Sequence, residues 1–92
     1  MKINAKQPVL TLKGEQYKSG EEGVTVGSVI SDILATDQTG GKMKLFILAK
    51  KFYEEKEVEL DEADISLVKK AVESCKGWNN VILGQILTIL EK

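Results

Sequence analysis

Histidine is absent from the 92 residues, and cysteine occurs once, at Cys75. Without histidine the chain lacks the commonest general base, the usual partner of a nucleophilic serine or cysteine, and the commonest transition-metal ligand. A zinc site of the ordinary Cys/His kind is excluded as well. What remains for chemistry is carboxylate, lysine and tyrosine. The carboxylates crowd into one stretch: Glu54, Glu55, Glu57, Glu59, Asp61, Glu62 and Asp64. Such a run suggests a divalent cation or an acid/base pair, but it lacks the glycine and the spacing of a calcium loop. It reads better as a solvated helix end, a connector and a helix start, where the helix dipole favours acids. No metal, no cofactor and no enzymatic activity are expected.

Two other places invite chemistry. Thr39-Gly40-Gly41-Lys42 precedes a helix. Backbone N–H groups at a helix start, with a lysine beside them, can hold a phosphate or carboxylate. It is not a Walker loop: Lys42 is followed by Met43, and Thr36 stands where the first glycine belongs. Thr39, Gly40, Gly41 and Lys42 are therefore the candidate site for a small anionic ligand such as a nucleotide. Cys75 falls near the carboxyl end of a helix, which does not activate a thiol, and reads as a buried structural residue.

The elements that must position these groups are legible from spacing. Val9, Leu10 and Leu12 look extended, Lys13-Gly14-Glu15 is a turn signal, and Gln16-Tyr17-Lys18 returns as a second short strand. Thr25 is a helix N-cap, with Val24 and Val29 at staple positions. Val26, Val29, Ile30, Ile33 and Leu34 then form one helical face that ends near Ala35. A second helix over 42–55 carries the stripe Leu45, Leu48, Ala49 and Phe52, widened by Phe46 and Tyr53. Lys50–Glu54 and Lys51–Glu55 are i,i+4 pairs on its wet side. Val58-Glu59-Leu60 is a connector. Asp61 and Asp64 have capping-box spacing at the start of a third helix, whose Ile65, Val68 and Val72 face inward with Leu67 and Ala71 flanking. Gly77 stops that helix, and Asn79 caps a fourth, with Trp78 and Leu83 as its staple. The expected fold is α+β: a short N-terminal β-hairpin followed by a compact bundle of four helices. The chain makes a single domain, with hairpin and loop in 1–24 and helices in 25–92.

The fourth helix is the main functional lead. Of the ten residues Val81 to Leu90, seven are large aliphatics and none is charged. A helix apolar nearly all round is buried on more than one side, and a chain this short offers few neighbours. Ile82, Ile86 and Ile89 share one face with Asn79. Leu83, Leu87 and Leu90 form an adjacent one, and Gly84 offers a place for close backbone approach. Trp78, Ile82, Leu83, Ile86, Leu87 and Leu90 are thus the candidate interface, for a second copy or another protein. A helix-turn-helix reading of the last two helices fails, because the would-be recognition helix has no Lys or Arg and almost no polar side chain to reach a base edge.

Composition agrees with that direction. Thirteen basic and fourteen acidic residues give a net charge of −1, which is not the balance of a duplex nucleic-acid binder. A lone cysteine points to a reducing compartment. The amino terminus has no apolar core of signal-peptide length, and the apolar run at the carboxyl end is shorter than the ~20 residues that span a bilayer. A soluble, cytoplasmic protein with no membrane partner is expected.

Three segments carry a resemblance: Val24-Thr25-Val26-Gly27-Ser28-Val29-Ile30, Val58-Glu59-Leu60-Asp61-Glu62-Ala63-Asp64-Ile65, and the ending Val81-Ile82-Leu83-Gly84-Gln85-Ile86-Leu87-Thr88-Ile89-Leu90. In general pattern the chain resembles small single-domain proteins encoded by tailed phages and prophages. Gly84-Gln85 ahead of a leucine-rich close is the most specific part. The resemblance supplies no catalytic residues. It implies a virion-assembly accessory, or a small protein that binds and disables a host factor in the host cytoplasm.

Overall fold

Polar and apolar residues alternate in Lys2-Ile3-Asn4 and again in Glu57-Val58-Glu59, and the two tripeptides pair. They form strands β1 (Lys2–Asn4) and β4 (Glu57–Glu59), antiparallel, with Ile3 opposite Val58 and Lys2 opposite Glu59. Ile3 and Val58 are buried while their neighbours face water, as the period of two requires for a half-buried ribbon. Neither strand is expected from the sequence, where 58–60 reads as a connector. Three residues are too few for alternation to stand out from chance. The computed structural model describes residues 2–19, 22–36, 42–75 and 77–91.

The expected hairpin is present. Leu10 bridges Gln16, Tyr17 N–H donates to the Val9 carbonyl (2.9 Å), and Gly14, with φ +90°, completes the turn by donating to the Thr11 carbonyl (2.9 Å). Thr11 Oγ1 also accepts the N–H groups of Lys13 and Glu15. The hairpin continues into β2 (Lys18–Ser19), paired antiparallel with β3 (Glu22–Gly23). The chain then returns to its start. Val9 N–H donates to Val24 (3.0 Å), and Val24 N–H donates to Tyr17 (2.7 Å). Val9, Tyr17 and Val24 are therefore linked in a closed ring of main-chain bonds, with no open strand edge among the three segments at that level.

Four helices follow: α1 (Val26–Thr36), α2 (Lys42–Glu54), α3 (Glu62–Ser74) and α4 (Asn80–Leu90). Their starts are where the capping residues put them. Thr25 Oγ1 accepts the Ser28 N–H (3.2 Å), and Ser28 Oγ accepts the Thr25 N–H (3.0 Å), a reciprocal box around the start of α1. Asp61 and Asp64 make the second box: Asp61 Oδ1 accepts the Asp64 N–H (2.8 Å). Asn79 Oδ1 accepts the Ile82 N–H (3.0 Å) and caps α4. The end of α3 falls earlier than expected, at Ser74, where Cys75 turns extended and donates its N–H to Val72. Cys75 is half-buried rather than buried.

α1 packs along α2 and also against α3, and α3 packs on α4. The core runs through Val29, Ile30, Ile33 and Leu34 of α1, Leu45, Leu48 and Phe52 of α2, Val68 and Val72 of α3, and Ile82, Ile86 and Leu90 of α4; Ile3, Val9, Val58 and Leu60 close it. Gly27 has a specific reason to be glycine. A Cβ there would lie 2.6 Å from the Phe52 carbonyl oxygen and 2.7 Å from the Ala5 carbonyl oxygen, which already accepts the Gly27 N–H at 2.8 Å. The start of α1 thus lies directly against the backbone of two other segments. No helix among the described residues is long and apolar enough to cross a membrane.

Candidate interaction surface

The fourth helix spends its most apolar side inward. Ile82, Ile86 and Leu90 recur every four residues and are buried, Ile86 completely. They are taken up by the protein's own core and are unavailable to a partner, which corrects half of the expected interface. Leu90 joins Ile82 and Ile86 on this stripe, and Ile89 moves to its flank. The rest of the set, Leu83, Leu87 and Trp78, is half-buried against the core edge. Trp78 also donates its indole N–H to Asp32 Oδ2 on α1 (3.1 Å), tying the α3–α4 turn to the first helix. No large aliphatic of α4 is among the exposed residues. Its open stripe is Asn80, Gly84 and Thr88, and a Cβ at Gly84 would meet nothing, so no backbone approaches there.

One flank of α4 is covered by the amino-terminal segment. The Gln85 side-chain amide accepts the Leu10 N–H at Oε1 (2.9 Å) and donates from Nε2 to the Leu10 carbonyl. A side chain here imitates the main-chain pairing of a β-bridge. An open groove of about 630 Å³ remains between the two elements, lined by Pro8, Leu10, Leu12, Gly84, Thr88 and Ile89 among others. Leu12, at the hairpin tip, is 89% exposed.

The larger apolar surface lies on α2. Leu45, Leu48, Ala49 and Phe52 are buried as expected, but Phe46 and Tyr53 do not widen the core stripe: they are 62% and 74% exposed, with Met43 at 70% and Ile47 at 43%. At 100° per residue, Phe46 and Tyr53 project about 100° away from the centre of the buried stripe, past the reach of α1. They flank a groove of about 560 Å³ between α1 and α2, with Ser28, Ser31, Asp32 and Ala35 on one wall and Ala49 and Lys50 on the other. The same count of apolar residues around the whole helix that singles out α4 also finds this face of α2 in the sequence.

The charged groups are mostly solvated. Among the described residues the one ion pair is Lys44 Nζ to Asp64 Oδ1, at 2.8 Å. The expected Lys50–Glu54 and Lys51–Glu55 pairs do not form, since long exposed side chains gain little by holding one geometry. Among the described residues no group of three or more His, Cys, Asp or Glu is arranged to hold a metal. Asp64 is the exception in the acidic run: it is buried to 8% exposure, below the Lys44 ammonium and within the α3 capping box. Hydrogen bonding from Lys44 holds its carboxyl below the ordinary carboxylate range, against the opposing pull of burial, and the Asp61 N–H helps. Because the folded value is the depressed one, the unfolded chain binds more protons in acid. The contribution is present above the unfolded value of about 3.9 and is lost as pH falls through the folded one. Asp64→Asn is expected to lower the urea midpoint at pH 6, and the gap to wild type should narrow on titrating to pH 3. A gap independent of pH would remove this role for the carboxylate.

Of the candidate anion site, Thr39, Gly40, Gly41 and the Lys42 side chain lie outside the described residues. No family model, no curated protein and no solved structure matches the chain.

Proposed function

We propose that the protein is a non-catalytic interaction module, of the kind that small tailed-phage and prophage proteins provide in the host cytoplasm. Its contact surface is the outer face of α2 with the groove that α2 shares with α1. In this reading the helices act as a bundle that holds that face rigid. One observation carries it: Met43, Phe46, Ile47 and Tyr53 are exposed together on one helix of a 92-residue chain. Exposed apolar residues scattered singly need no explanation, but a contiguous group of large ones marks a contact surface. Fully burying one such side chain is worth about 1.5–3 kcal/mol, so covering Phe46 and Tyr53 alone is a substantial driving force. The resemblance carries the phage part of the reading.

The test is a photo-crosslinking amino acid at position 46 or 53, in cells that make the protein naturally. Covalent protein adducts are expected from both positions and not from position 66 on α3, where Ser66 is also exposed. Equal yields at all three positions would defeat the reading.

A further inference from the structure

We draw no further inference here: the strongest candidate, the groove between α1 and α2 that Phe46 and Tyr53 flank, belongs to the surface already described, and nothing in the structure shows what covers it.

Discussion

Ile86→Glu is expected to abolish folding, while Leu87→Glu, one residue along the same helix, leaves a folded protein. Ile86 is completely buried at the centre of the α4 stripe. A carboxylate there has no partner and no route to water, and an unpaired buried charge costs more than a domain of this size has in reserve, about 5–15 kcal/mol. Even Ile86→Ala should remove about 2–5 kcal/mol through lost burial and the cavity left behind. Leu87 lies at the half-buried edge, where a longer polar side chain can turn outward. Circular dichroism and urea titration separate the two outcomes. If Ile86→Glu gave a folded protein with a cooperative transition, α4 would be an outward-facing helix and its inward stripe would be misassigned.

The second large effect concerns a sign. Glycine to alanine within a helix normally stabilises, by about 0.5–1 kcal/mol. Gly84→Ala in α4 should follow that rule, because a Cβ there meets nothing. Gly27→Ala in α1 should reverse it. The new methyl would fall 2.6 Å from one carbonyl oxygen and 2.7 Å from another, and both belong to main chain that cannot swing aside as a side chain would. Over-packing of this kind costs about 1–3 kcal/mol. In a chain of this length about 4–8 °C of melting temperature is lost per kcal/mol. Thermal melts of the two variants should therefore move in opposite directions from wild type. A Gly27→Ala protein at least as stable as wild type would mean that α1 does not abut the backbone at Ala5 and Phe52.

That glycine illustrates what is legible in the sequence. Local signals are: the boxes at Thr25 and Asp61, the cap at Asn79 and the turn at Gly14 all depend on residues within four positions of one another, and each is present; the apolar face of α1 is present too, whereas those of α2, α3 and α4 hold in part, with Phe46 and Tyr53 exposed, Ala71 buried in place of the half-buried Ile65, and Leu90 in place of Ile89. Contacts between distant segments are not. Gly27 looks like a weakness in a helix, because the Ala5 and Phe52 carbonyls that require it are set by the tertiary fold. The β1–β4 ribbon joins residues more than fifty positions apart through tripeptides with almost no pattern of their own. The sequence points to α4 as the interaction surface because its apolar excess is the largest. How much of an excess is buried depends on the neighbours, and α4 has both the core and the Gln85-bound segment against it. The smaller excess on α2 has no such cover.

The amide clamp between Gln85 and Leu10 has a consequence for the order in which the protein is made. The hairpin ring needs nothing beyond Val26 and can close early in synthesis. The amino-terminal ribbon waits for Glu59. Leu10 waits longest: its partner lies 75 residues downstream, and from the completion of the hairpin at Val26 to the arrival of Gln85, at roughly 5–20 residues per second, about 3–12 s of translation pass. For that interval the nascent chain carries a finished hairpin with one face uncovered, and Gln85 is the residue whose arrival ends the exposure.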